Sequence, residues 1–214
     1  MRATRLLIWP IWKAYSLVSR AADSPLFTIH KLVQEVTRRQ IKDPEQLRLN
    51  ESLQWLDAAF VGNPQDVRAW PVLEPLAPHA LTVVHYADEQ GIAHPTSRLM
   101  NQLGVLYLTK ALYRQAEPLM RRPLTIDETS FTAEHPNVAR DLNNLAQLLQ
   151  ATNRLAEAEP LMRRALTIVI RSYGVEHPRS QTVLQNYFML GQSLGWSEDQ
   201  IEDQILEAVK SQLD

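Results

Sequence analysis

The stretch Ala116–Ile126, AEPLMRRPLTI, returns forty-two residues later as Ala158–Ile168, AEPLMRRALTI. The correspondence extends outward without a gap: MNQLGVLYLTKALYRQAEPLMRR (Met100–Arg122) lies over LNNLAQLLQATNRLAEAEPLMRR (Leu142–Arg164). A supersecondary unit copied at this period buries its apolar face against its neighbours, so the pattern predicts a stacked array rather than a closed globule. The expected fold class is mainly α, an α-solenoid of helix hairpins.

The residues within the unit are similar to the tetratricopeptide repeat (TPR), whose pattern of W-x2-L-G-x2-Y and then A-x3-F recurs at about 34 residues. Met100-x2-Leu103-Gly104-x2-Tyr107 with Ala116-x3-Met120 follows it, as does Leu142-x2-Leu145-Ala146-x2-Leu149 with Ala158-x3-Met162. The eight extra residues are about two helical turns, so each helix of a pair can be one turn longer. LNNLA (Leu142–Ala146) and the AEPLMRRAL text resemble the kinesin-light-chain type of TPR. A third copy opens at His177–Pro178 and runs through Leu184–Gly191, with QNYF in place of NNLA. Ser197-x-x-Gln200 then caps a last helix carrying Ile201, Ile205, Leu206 and Val209 on one face, a suitable cover for the end of an array.

Upstream, EPLAPHALTVV (Glu74–Val84) echoes EPLMRRALTIV (Glu159–Val169) as a degenerate member of the array. Asp43, Pro44 and Gln46 predict the start of a helix with Leu49, Leu53, Leu56 and Phe60 in register. A second helix is expected from about Asp66 to Glu89, closed by Gly91. Tyr15–Arg20 and Leu26–His30 predict a β-hairpin around Ala21–Pro25, followed by a helix over Lys31–Arg39. YSLVSRAADSPLFTIHKLVQEVTRR resembles the end of the winged-helix subdomain of STAND-type (NB-ARC) ATPases, and WPVLEPLAPHALTVVHYADEQG the helical linker that follows it there. The resemblance implies the organisation 1–42 winged-helix-like remnant, 43–92 linker or degenerate repeat, and 93–214 TPR array with a capping helix. No G-x-x-x-x-G-K-[ST] occurs in the sequence, so the phosphate-cradling loop of such ATPases is not in it.

Composition narrows the function. With no cysteine, thiolate metal sites and thiol catalysis are excluded. No nucleophile elbow, HExxH or glycine-rich phosphate loop points to an enzyme, and no cofactor is expected. The short apolar run Leu6–Trp12 is broken by Pro10 and falls far short of the roughly 20 residues of a span. A cytoplasmic protein without a membrane segment is therefore expected. The net charge of −2 divides into about +6 over Met1–Lys42 and about −8 beyond it. That basic segment raises an alternative reading, a nucleic-acid-associated regulator, against a protein- or peptide-binding scaffold; self-association through the repeats is a further possibility. Arg121, Arg122, Arg163 and Arg164 fall on second helices and are expected on a solvated convex face.

His94–Pro95, His135–Pro136 and His177–Pro178 open the three units, but residues one unit apart cannot converge on a metal, and each is expected to precede a helix start. His79 and His85, six apart, miss metal-binding helical spacing. Pro123, where the second copy has Ala165, predicts a kink or a break near Leu119–Pro123. The concave face is expected on the first helices, with Arg98, Asn101, Arg140, Asn143, Asn144, Gln147 and Gln185 as candidate peptide-binding residues. Amides both donate to and accept from a peptide backbone, and arginine pairs with carboxylates. In kinesin-light-chain-like TPRs the matching asparagines bind peptide, which by resemblance implies that role for Asn101, Asn143 and Asn144.

Overall fold

The structure, a computed structural model, describes residues 47–210 together with Val18–Arg20 and Phe27–Ile29. Residues 1–47 and 48–214 form two compact units. In the first, β1 (Val18–Arg20) pairs antiparallel with β2 (Phe27–Ile29), Val18 opposite Ile29 and Arg20 opposite Phe27. The pairing lies where the hairpin was expected, whereas the predicted helix over Lys31–Arg39 and the cap at Asp43–Gln46 lie outside the described residues. Among the described residues the first unit shows this pairing of two three-residue strands and no further element of a winged helix. The winged-helix remnant expected over 1–42 therefore gains no support.

The second unit has eight α-helices among the described residues: α1 (Leu47–Ala59), α2 (Trp70–Glu89), α3 (Thr96–Thr109), α4 (Tyr113–Ser130), α5 (Pro136–Ala151), α6 (Leu155–Tyr173), α7 (Pro178–Ser193) and α8 (Glu198–Lys210). A 3-10 turn, Val67–Ala69, precedes α2, and the side chain of its N-cap Asp66 accepts from the Arg68 amide. His135 and His177 cap α5 and α7: the Nδ1 of each accepts from the amide two residues on, at 3.1 Å, and the following proline takes the first helical position. The ring of His135 stacks on Phe131 and that of His177 on Tyr173. These histidines thus build helix starts, and no three-residue metal-binding group occurs among the described residues.

One turn design closes α2, α3, α5 and α7. At Gly91, Ala111, Asn153 and Gly195 the backbone is left-handed, with φ of 72°, 56°, 58° and 80°. The next residue's amide then reaches back into the last helical turn: Ile92 to Ala87, Leu112 to Tyr107, Arg154 to Leu149 and Trp196 to Gly191. This double reach satisfies carbonyls that a helix end leaves bare and reverses the chain. Ser197 and Gln200 form the expected reciprocal cap ahead of α8: Gln200 Oε1 accepts from the Ser197 amide at 2.9 Å, and Ser197 Oγ from the Gln200 amide at 3.3 Å. Ile201 is buried as expected, but Leu206 is exposed and leaves the predicted apolar face.

Packing follows the copied text. A Cβ on Gly104 would stand 2.7 Å from Met120 Cγ, so the small residue lets α4 lie directly on α3. Gly191 does the same for Ile201 on α8, at 2.6 Å. Ala116, Met120, Ala158 and Met162 are fully buried, each on the inner stripe of its second helix. One apolar cluster joins Leu53, Phe60, Leu73, Val84, Leu99 and Leu103; another joins Met120, Leu142, Leu145, Leu149, Met162 and Tyr187. Truncating a buried leucine such as Leu103 or Leu145 to alanine costs about 2–5 kcal/mol. α4 runs unbroken through Pro118 and Pro123, so the expected break near Leu119–Pro123 does not occur. Pro123 is buried, and packing on the neighbouring helices carries the helix past its missing amide.

Candidate functional site

The first helices α3, α5 and α7 touch one another directly in sequence, while the second helices α4 and α6 are bridged by long side chains such as Arg154, 2.8 Å from Glu117. Crowding on the side of the first helices makes theirs the inner face of the stack, as the repeat pattern predicts.

The candidate side chains on this face divide into two sets. Asn101 and Asn143 are only 3% and 7% exposed. Asn144 Nδ2 donates to Asn101 Oδ1 at 2.7 Å, and Asn186 Nδ2 donates to Asn143 Oδ1 at 2.8 Å, one amide bond per joint and forty-three residues between partners in both. Asn143 Nδ2 also reaches Asn144 Oδ1 at 3.2 Å, so Asn101, Asn144, Asn143 and Asn186 form a chain of amides along α3, α5 and α7. The ladder inferred from sequence exists, but these asparagines are turned on each other and fasten the units together. Arg98 is likewise engaged, its Nε donating to Asp57 Oδ1 and its Nη2 to the Asp57 carbonyl, each at 2.6 Å. Gln147 is half-buried on α5 and Gln185 exposed on α7.

Arg140 belongs to a different arrangement. Its Nε lies 2.9 Å from Asp141 Oδ1 and its Nη2 3.2 Å from Asp127 Oδ2. Both aspartates are fully buried, and Asn101 Nδ2 donates to Asp141 Oδ1 at 2.5 Å. Burial pushes the Asp141 carboxyl up to about 7; Arg140 opposes the rise, and the neighbouring Asp127, within hydrogen-bonding reach, adds to it. Sequence reading passed over both aspartates. The signal was present in the aligned copies: Asp127, Arg140 and Asp141 stand over Val169, Thr182 and Val183 one unit later. An acid where the next copy keeps a buried valine marks an interior charge.

Beside Arg140, a recess of about 300 Å³ opens between the N-terminal part of α5, the end of α6 and the start of α7. Asn137, Arg140, Asn143, Tyr173, Arg179 and Thr182 line it over a floor that includes Val169 and Val183. Arg179 Nη1 donates to Tyr173 Oη at 2.8 Å, and its guanidinium lies over the Tyr173 ring. An arginine held in place beside amides and an aromatic ring can receive a carboxylate or a polar side chain. Asn137, Tyr173 and Arg179 were not among the candidates; all three lie in the first or last turn of their helices, where Asn137 and Arg179 are the divergent residues after the repeated His-Pro.

The four arginines expected on the convex face are each engaged with an acid. Arg121 lies 2.8 Å from Glu117, Arg122 2.7 Å from Asp88, Arg163 3.3 Å from Glu159 and Arg164 2.5 Å from Glu128. Arg122 and Arg164 thereby tie each second helix to the unit before it. Pairing of this kind leaves no cationic stripe of these four arginines; the basic segment Met1–Lys42 lies mostly outside the described residues, and the nucleic-acid reading gains no support. No helix among the described residues is long and apolar enough to cross a membrane.

Residues 95–171 match the tetratricopeptide repeat family model. A nucleotide-binding leucine-rich repeat (NLR)-like protein of Hyaloscypha variabilis is 26% identical over 133 residues, which is 61% of this chain and 13% of that protein. The chain thus spans a small part of the length of the curated relative it matches. Among solved structures, the kinesin light chain nearly identical TPR-like repeats of Podosopora anserina superpose with a TM-score of 0.56 at 18% identity, over 86% of this chain and 83% of that one. A variant of the same protein, with one glutamine replaced by methionine, gives 0.57 at 17% identity, over 85% and 82%. At these identities the likeness is one of fold.

Proposed function

We propose that this chain, which carries kinesin-light-chain-like tetratricopeptide repeats, is a scaffold that binds a protein or peptide along the face of α3, α5 and α7. The observation that carries the reading is the recess beside Arg140: on the inner face of the stack, Arg179, Asn137 and Tyr173 are gathered from three helices into one polar, partly open site. Gln147 and Gln185 extend that surface along α5 and α7, where their amides can pair with an extended backbone. Of the seven residues first assigned to binding, Arg140, Gln147 and Gln185 keep that role; Arg98, Asn101, Asn143 and Asn144 serve it by holding the helices in register. The role is one of recognition rather than catalysis.

Peptides selected from a random displayed library test this reading. Binding is expected to fall at least tenfold with Arg179→Glu and to weaken with Gln185→Ala, while Arg122→Ala on the second-helix face leaves it unchanged. Peptides insensitive to Arg179 and Gln185 but lost with Arg122→Ala would place the surface on the other side. We further infer that the chain is the repeat-bearing part of a larger STAND-type signalling ATPase, a reading supported by the NLR-like relative, which is several times longer than the matched stretch. Coding sequence adjoining Met1 that encodes a P-loop in the same frame would sustain it, and a stop codon immediately upstream would oppose it.

A further inference from the structure

The amide chain and the acid pair meet at one place, the joint between the α3–α4 and α5–α6 units. Asp127 comes from the last turns of α4 and Asp141 from the first turns of α5. The groups facing them are Arg140 on α5, the Asn101 amide on α3, and His94 ahead of α3, whose Nε2 is 4.0 Å from Asp127 Oδ1. Arg140 occupies one oxygen of each acid, and the remaining two, Asp127 Oδ1 and Asp141 Oδ2, are buried with no hydrogen-bond partner. If both acids were ionised, the single, partly exposed guanidinium would leave a net negative charge on two fully buried carboxyls. A buried charge in that position is neutralised most cheaply by a proton, which also supplies the missing donor.

We propose that Asp141 carries a proton within this joint, as a buried carboxylic acid beside Asp127 and Arg140, and that loss of this proton loosens the first unit from the second. Because the folded state holds this proton more tightly than the unfolded chain does, the fastening is complete below the ordinary aspartate range, near 3.8. It is lost as pH rises towards about 7. The joint between the α5–α6 and α7–α8 units has no such device, since Val169, Thr182 and Val183 stand at the three corresponding positions. The molecule therefore contains its own control. A proton-dependent joint next to the recess gives the scaffold a way to change the spacing of its inner face with pH.

Two measurements on the full chain decide the matter. In urea unfolding between about pH 5 and 7, the unfolding constant of the wild type is expected to rise by up to tenfold per pH unit relative to Asp141→Asn. His94→Gln, which removes the imidazole beside Asp127, is expected to keep most of that slope. Parallel pH dependences for wild type and Asp141→Asn would overturn the proposal. Should Asp141→Asn fail to fold, infrared spectra of the wild type substitute for it. A protonated, buried carboxyl band is expected near pH 6 and should vanish by about pH 8.5; its absence near pH 6 would equally overturn the proton on Asp141.

Discussion

The two joints of the repeat stack occupy the same positions and use opposite chemistry. Between the first and second units, Asp127 and Asp141 form a buried acid pair held by the partly exposed Arg140; between the second and third, the buried Val169 and Val183 stand at the acids' positions and the exposed Thr182 at the arginine's. Both joints keep the amide bond that crosses from one first helix to the next. The common part is therefore what sets the unit spacing, and the variable part sets how that spacing depends on its surroundings. A hydrophobic joint holds at any pH. A charged one holds only while each buried group has its partner, which makes it a conditional fastening without being a stronger one.

The largest effect should come from breaking the charged joint on one side only. Arg140→Ala leaves two buried carboxyls without their cation and is expected to cost about 3–5 kcal/mol near neutral pH. Chemical denaturation should show the loss shrinking towards pH 5, where protonation of Asp141 lessens the repulsion. Thr182→Ala, at the matching position of the apolar joint, should cost less than about 1 kcal/mol, as surface-type changes away from such networks do. Equal losses at the two sites would mean that the joints do not differ energetically.

Next in size are the asparagines that cross the joints. Asn101→Ala removes the donor to Asp141 and the acceptor for Asn144, and Asn143→Ala removes the acceptor for Asn186. Leaving such buried groups unpaired costs about 1–3 kcal/mol each, and Asn101 should be the more damaging because its partner is a carboxyl. Thermal melts check the order. A variant that melts like the wild type yet loses peptide would return that asparagine to direct binding.

Much of this frame is legible in the text of the chain. Repetition at forty-two residues fixes the helix pairs, Gly104 and Ala146 mark close approach, and the His-Pro dipeptides mark helix starts. All of these are local consequences of a backbone requirement, and they survive copying. The joints are not local. Asp127 and Asp141 are fourteen residues apart on different helices, and although Asp127 lies in register with Ala116, Met120 and Pro123 on the buried stripe, periodicity alone does not say which groups of the next unit meet it there. The asparagines give the complementary case: Asn101 and Asn143 lie on first helices, but one sequence cannot distinguish an amide that faces solvent from one that faces the next repeat. Pro123 is a related case. Propensity allows a kink or a break there, and burial of the helix's inner face, Pro123 included, carries it through without a break. Pro123→Ala should restore an amide to the Leu119 carbonyl and raise stability by about 1–2 kcal/mol, somewhat less than the interior-proline penalty of about 3 kcal/mol because the packed ring is lost. An unchanged melting temperature would mean that the ring's packing offsets the restored bond fully.

The smallest effect concerns the turns inside the units. Ala111 and Asn153 hold the same left-handed position, at φ 56° and 58°, in turns with the same pair of backbone hydrogen bonds. Gly91 and Gly195 hold it elsewhere in the stack without cost to a side chain. An alanine there brings its Cβ against the carbonyl, an expense of about 1–2 kcal/mol, whereas asparagine visits the region more readily. Glycine removes that strain but adds freedom to the unfolded chain worth about 0.4–1 kcal/mol, so the two terms partly cancel. Ala111→Gly should therefore gain about 0.5–1 kcal/mol, and Asn153→Gly a few tenths at most. Urea titrations of the two variants side by side resolve this difference. A larger gain at Asn153 than at Ala111 would show that its side chain, and not the backbone it shares with Ala111, is the strained element of the second unit.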